Sequence, residues 1–417
     1  MNATNETNPL SLTIQNYLDK LENLNPRQRS HAAIELGKQT DTRVVPPLVA
    51  ALRGDINTYV RAAAAESLGY LNDERAIFPL MDALQDSSSF VRRAAALSLG
   101  RMHAKEVQVA LLHALEDPNI YVRRAAITAI GKLGIPDLGK VLLPLLETDD
   151  RRVQRNVITA LHRLEMREAI PPMIEILEGY LYAPCQQELP VVKALVVALG
   201  KLQAREAVPV LVRVMRGYVG VRSIAAKALG QLGEVSAGPA LAAVLRGRST
   251  GLLVAALASI RQLDYREALP QVRQFLFSAD PRLRREAAMT VAQLADQESI
   301  PILLQMVQDD PSPLARPAVV EALGYVDDAR VLPHLLPLVD DMNAYVRAAL
   351  IPTLMSLDAS SPQVRAALET LVQDNVQHVA ATAQRVLEQW EVEPVSVGSV
   401  ELGEERASWL PRWLTRQ

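Results

Sequence analysis

Apolar residues along this chain recur at two nested periods. Within short stretches they follow helical spacing, and the stretches themselves return every 31 residues. VRAAAAESLGYL from Val60, VRRAAALSLGRM from Val91, VRRAAITAIGKL from Val122 and VQRNVITALHRL from Val153 show the unit most clearly. It continues from Val192 (read best with Val191 in the lead), Val221, Leu252, Leu283, Ala315, Val346 and Val379, and QRSHAAIELGK from Gln28 is the first copy. About twelve units therefore cover nearly the whole chain, weakest at its ends, as capping repeats are.

Each unit predicts two helices. The second carries V-R-x-x-A-A-x-x-L-G, whose lead residue, alanines and leucine form one apolar face and whose glycine suits a left-handed C-cap. The first is an amphipathic segment such as AIFPLMDALQD or AIPPMIEILEG, with proline in the opening turn where no amide hydrogen bond is lost. Asp-rich turns (GDINTY, QDSSSF, EDPNIY) join them. A lone helix pair cannot bury its apolar face, so the fold class is all-α: an α-solenoid of stacked pairs, curved with a concave binding face.

The organisation expected is a polar N-terminal segment (1–20), repeats over 21–179, an inserted loop at 180–190, repeats over 191–390 and a tail at 391–417. In the tail, Trp409 and Trp413 suit a short amphipathic anchor; Pro317 and Pro352, inside second helices, predict kinks. The recurring arginines (Arg61, Arg92, Arg123, Arg222, Arg284, Arg316, Arg347) are expected to bond the aspartates of the preceding turn, Asp55, Asp86, Asp117 and Asp280, as a ladder.

Composition narrows the function. The chain has 417 residues, a formal net charge of −3 and 4% aromatics, which fits small-residue helix packing and argues against a dedicated nucleic-acid binder. A single cysteine excludes an internal disulfide and Cys-based zinc sites. No signal peptide or membrane span is expected, so a cytoplasmic protein is the reading. None of the histidines His31, His103, His113, His162, His334 and His378 precedes glutamate, so the His-Glu dyads of iron hydroxylases built on similar repeats are missing, and no metal site is expected.

Two features break the uniformity. The position after the recurring arginine reads Ala62, Arg93, Arg124, Arg155, Lys193, then Ser223, Val254 and Arg285. Its four consecutive cations, on helices stacked roughly 10 Å apart, form a stripe suited to an anion or an acidic partner. Tyr59, Phe90, Tyr121 and Tyr345 precede the lead valines and either pack in the turns or clasp a flat ligand. The second feature is EGYLYAPCQQELP, which stretches the interval after Val153 to 38 residues. It crowds Tyr180, Tyr182, Cys185 and Gln186 between Glu178 and Glu188, while His162 takes the usual glycine position. Cys185 is either an inert small hydrophobe or a working thiol.

The units resemble HEAT repeats, specifically the short type of the phycobiliprotein bilin lyases of the E/F clan, over about residues 20–390. That resemblance implies a lyase that binds a phycobilin as substrate, with no tightly bound cofactor. It attaches the bilin by a thioether to a cysteine of a phycobiliprotein, here a phycoerythrin α-subunit, and involves neither nucleic acid nor membrane. Arg93, Arg124, Arg155 and Lys193 would pair with the bilin's propionates, Tyr121 and Phe90 would meet its face, and Cys185, Tyr182, His162 and Glu188 are the catalytic candidates. Some relatives also isomerise the bilin, which here would give phycourobilin, and carry Asn-His-Cys-Gln-Gly-Asn. Cys185-Gln186 keeps the central pair of that motif alone. The alternative is a non-catalytic scaffold whose groove binds an acidic protein or peptide.

Overall fold

The computed structural model describes residues 11–102, 104–182 and 188–392. Among them are twenty-four α-helices in twelve consecutive pairs, several opened or closed by a 3-10 turn, and no strand. The architecture is an all-α solenoid. No helix among the described residues is long and apolar enough to cross a membrane. The chain divides into two compact units, residues 1–221 and 222–417, rather than at the repeat break.

In the first unit the second helices are Pro26–Leu36, Thr58–Leu71, Ser89–Leu99, Ile120–Leu133, Arg151–Arg163 and Leu189–Lys201, each packed on the next. In the second unit the corresponding series is Arg222–Leu232, Thr250–Gln262, Pro281–Gln293, Ala315–Leu323, Ala344–Asp358 and Gln377–Val392. The residues that define the repeat are those that bury. Val60, Val91 and Val122, the alanines Ala64, Ala65, Ala95, Ala96, Ala125 and Ala126, and the leucines Leu68 and Leu99 are all buried. Each fully buried leucine contributes roughly 1.5–3 kcal/mol, and the small alanines let neighbouring helices close on one another. Proline opens first helices such as Val45–Gly54, Val208–Gly217 and Ile300–Asp309, as its missing amide allows.

The recurring glycine has a different job from the C-cap expected of it. Gly69 and Gly131 lie buried within their helices, and Gly100 ends its helix in right-handed conformation, φ −67°. A Cβ on Gly69 would sit 2.4 Å from Cβ of Ser98, and one on Gly100 2.4 Å from Cα of Ala129. Glycine is therefore required where one second helix crosses the next. At the same crossings Ser67 Oγ donates to the Ala33 carbonyl and Ser98 Oγ to that of Ala65, both at 2.8 Å. The left-handed positions fall later, at Asn72, Gly134 and Gly233 among others.

The arginine ladder exists, but most rungs reach forward; Arg123 instead donates to the carbonyls of Asp117 and Pro118 in its own turn. Arg61 donates through Nε and Nη2 to Asp86 of the following turn, both at 2.8 Å, while its Nη1 donates to the backbone carbonyl of Asp55 in its own turn at 2.9 Å. Arg29–Asp55 and Arg92–Asp117 repeat this geometry in the first unit; Arg284–Asp310, Arg316–Asp341 and Arg347–Asp374 are the rungs of the second. Asp280, expected as a rung, caps its helix and pairs with Arg282. The guanidinium is long enough to bridge two turns and satisfies both, a bidentate arrangement that sets the register between repeats.

Three boundaries shift. The first pair opens inside the segment expected to lack repeats, with helix Leu12–Leu21 capped by Ser11 and anchored by buried Ile14. Pro317 falls in the first turn of Ala315–Leu323, where it displaces no hydrogen bond, whereas helix Ala344–Asp358 runs on through Pro352. At the repeat break the extra residues lengthen the first helix, which continues to Tyr182, and the next starts at Leu189. Cys185 and Gln186 lie outside the described residues, as do the tail tryptophans Trp409 and Trp413.

Candidate functional site

The four stripe cations sit on four successive second helices of the first unit. Arg93, Arg155 and Lys193 are exposed, and Arg124 is half-buried, its Nε carrying no hydrogen-bond partner. Burial, then the positive charges of Arg155 and Arg152, push the Arg124 guanidinium below its ordinary pKa, with Asp150 and Tyr121 opposing in part. The structure thus gathers Arg124, Arg155, Arg152 and Tyr121 into one locus. Tyr121 is 51% exposed and Phe90 57%; Phe90 packs against Tyr59, ring centroids 6.0 Å apart. These rings open the first turns of adjacent helices and remain largely available to a ligand face.

At the repeat break the ladder changes chemistry. Gln154 stands where the arginine belongs; it is buried, donates through Nε2 to the Leu146 carbonyl at 2.8 Å, and accepts from Tyr180 Oη at 2.7 Å. A neutral Gln–Tyr pair therefore replaces the ionic rung, and burial raises the Tyr180 phenol. Beside it Arg151 donates to Oε1 of Glu188 at 2.6 Å, while the buried Oε2 of Glu188 has no partner. Tyr182 is 82% exposed, with the Arg213 guanidinium 5.7 Å above its ring and Glu178 paired to Arg213 at 3.3 Å.

His162 does not join this group. It lies eleven residues beyond Arg151 on one helix, about 16 Å along the axis. Half-buried, with Nδ1 lacking a side-chain partner, it is held below the usual imidazole pKa by burial and by Arg163, then Lys201. It lies instead beside a second set of cations that the sequence reading passed over. Arg101, Lys132, Arg163 and Lys201 each stand eight residues after a stripe cation, near the carboxy ends of the same helices. Lys132 is half-buried and held below the ordinary ammonium value by burial and by Arg101 and Arg163. Arg101 stacks 4.5 Å over Tyr70. The signal was present as a second basic column at the 31-residue period. It was hidden because the residue after the glycine reads as a helix terminus, where a cation is ordinary.

Comparison with known families matches the HEAT repeats family to residues 14–100, 45–116, 109–180, 238–323 and 305–388. The chain belongs to the HEAT-repeat family. The PBS lyase HEAT-like repeat matches residues 221–247 of this HEAT chain. Among solved structures, importin beta is 14% identical, with a TM-score of 0.66 over 95% of this chain and 66% of that one. Yeast importin-beta is 13% identical, with a TM-score of 0.63 over 91% and 62%. The complex of CpcE and CpcF of phycocyanin lyase from Nostoc sp. PCC7120 is 22% identical over 64% of this chain and 98% of that one, with a TM-score of 0.39. No curated protein matches the sequence. The importin likenesses show the HEAT-solenoid fold, and nothing more.

Proposed function

We propose that this HEAT array is a bilin lyase. It binds an open-chain tetrapyrrole and attaches it by a thioether to a cysteine of a phycobiliprotein subunit. The observation that carries the reading is the Arg124 locus: a partly buried guanidinium crowded by other cations, beside an exposed tyrosine, suits a propionate on a flat conjugated ligand. The match of a PBS lyase HEAT-like repeat to residues 221–247 supports the same reading.

The chemistry is an addition. The acceptor sulfur forms a bond to the ethylidene carbon, the C=C electron pair shifts onto the tetrapyrrole and takes a proton, and the thiol S–H breaks, with no net redox change. The protein has to orient the partners and move the proton. Glu188, with Oε1 held by Arg151 and Oε2 unpartnered, is the candidate base, and Tyr182 is the exposed hydroxyl at the same edge. Isomerisation to phycourobilin, a phycoerythrin α-subunit as acceptor and Cys185 as a transient adduct or proton donor are the finer parts of the proposal.

Coexpression with a bilin-synthesising pathway and candidate phycobiliprotein subunits tests it. A covalently coloured subunit that survives denaturing electrophoresis is expected, blue-shifted if a double bond also moves. Subunits that all stay colourless would sink the lyase and leave a scaffold for an acidic partner.

A further inference from the structure

The two cationic columns share one face of each helix. On helix Ile120–Leu133 the positions 124, 128 and 132 are successive steps of four, which form a single half-buried stripe. Arg124 and Lys132 are eight residues apart, about 12 Å along the axis. On the neighbouring helix Arg155 and Arg163 repeat the arrangement. Between the columns lie the small hydroxyl residues Thr128 and Thr159, which turn their Oγ1 donors inward to the carbonyls of Arg124 and Arg155, both at 2.8 Å. The face is thus two cationic rims with a shallow floor between them.

Neither rim is neutralised. Among the described residues no carboxylate forms an ion pair with Arg124, Arg155, Lys132 or Arg163, in a chain whose other arginines are largely paired. Attraction of a cation to the negative end of its helix accounts for one basic residue per terminus. It does not account for this pattern. In the second unit the same terminal positions hold Gln231, Gln262, Gln293 and Tyr325, and those helices form equally well. Arg124 and Lys132, one on each rim, are both held below their ordinary pKa, first by burial and then by neighbouring cations, with Asp150 offsetting the effect in part at Arg124.

We propose that the two rims hold the two propionates of a single tetrapyrrole, Arg124 and Arg155 taking one and Lys132 and Arg163 the other. The chromophore then lies along helix Ile120–Leu133, across Thr128 and Thr159. This rests on the bilin-lyase reading and assigns its ligand a direction and a second anchor. Carboxylates beside both rims would replace repulsion with charge-assisted hydrogen bonds.

The test is an absorbance titration of the full chain with biliverdin and with its dimethyl ester, in the wild type, R124Q/R155Q and K132Q/R163Q. Each double substitution is expected to weaken biliverdin binding at least tenfold, and all three proteins should bind the uncharged ester alike. Melting temperatures within a few degrees of the wild type are expected, since glutamine removes repulsion; should K132Q/R163Q melt early, the single substitutions K132Q and R163Q carry the test. If K132Q/R163Q binds biliverdin as the wild type does, the second anchor is refuted while the lyase reading stands on Arg124. A wild type that ignores biliverdin overturns both.

Discussion

The two units use one interior and two surfaces. In each, buried alanines let second helices close together and arginine rungs bind turn to turn. The exposed stripe differs. From Arg93 to Lys201 four successive second helices carry a cation at both stripe positions. From Ser223 onward the same positions read Ser223 and Gln231, Val254 and Gln262, Arg285 and Gln293, Pro317 and Tyr325. The cations on that side have acidic company: Arg261 lies 3.7 Å from Glu286, and half-buried Glu321 faces the charges of both Arg285 and Arg261. The period constrains what packs and leaves the stripe free, so a double row of cations in one unit alone is a property of use rather than of fold.

The comparison breaks first if the interiors are not equivalent. Gly100→Val pushes a branched side chain against the backbone of Ala129 and should destabilise the first unit by about 3 kcal/mol, as overpacking at a helix crossing does. Chemical denaturation followed by circular dichroism reads this, and an unchanged midpoint would remove the close-approach role of the glycine. Rungs come next. Arg61→Ala and Arg284→Ala each unpair a mostly shielded aspartate and open two turn carbonyls, and about 2 kcal/mol is expected for each, alike in the two units. A double-mutant cycle of Arg61 with Asp86 separates the rung from its surroundings, and a coupling near zero would make the ladder ornamental.

The smallest effect sharpens the contrast through pH. Asp55 and Asp374 are held below the ordinary carboxylate range by hydrogen bonds from Arg29 and Arg347, so their stabilisation is complete above about pH 4 and fades as acid protonates them, in both units. His162 acts with the opposite sense and in the first unit alone. Its folded pKa lies below 6.5, so the unfolded chain takes up the proton first, and stability should rise as pH climbs to that value and level off above it. Melting temperatures from pH 5 to 8 should therefore slope upward in the wild type and flatten in His162→Gly, the residue other repeats carry there. Identical slopes in the two proteins would count against a desolvated imidazole.

Much of this was legible from the one-dimensional pattern. Twelve helix pairs, the buried lead valines and alanines, the proline-opened first helices and the existence of a ladder all follow from a 31-residue period. What was misread involved partners in other repeats. Spacing pointed Arg61 to Asp55, six residues back, because that turn is near in sequence; the carboxylate it grips, Asp86, is 25 residues ahead. The glycine was read as a terminus because its own helix ends near it, whereas the neighbour that demands it is Ala129 or Ser98. His162 and Glu188 were grouped by their closeness to one insertion, yet they fall at opposite ends of one helix: His162 near its last turn, Glu188 joined to Arg151 in its first.

Helical period and burial are local properties of a chain. The sequence was therefore enough to specify an all-α array of paired helices and to say which side chains turn inward. Whether a charge is compensated depends on what comes within a few ångström of it through space. Repeat position already set Arg92 apart from Arg124, but only the fold shows one locked to Asp117 and the other crowded by Arg155 and Arg152. The folded stack gave the ladder arginines their partners, and it added Lys132 and Arg163 to the cations outside the ladder.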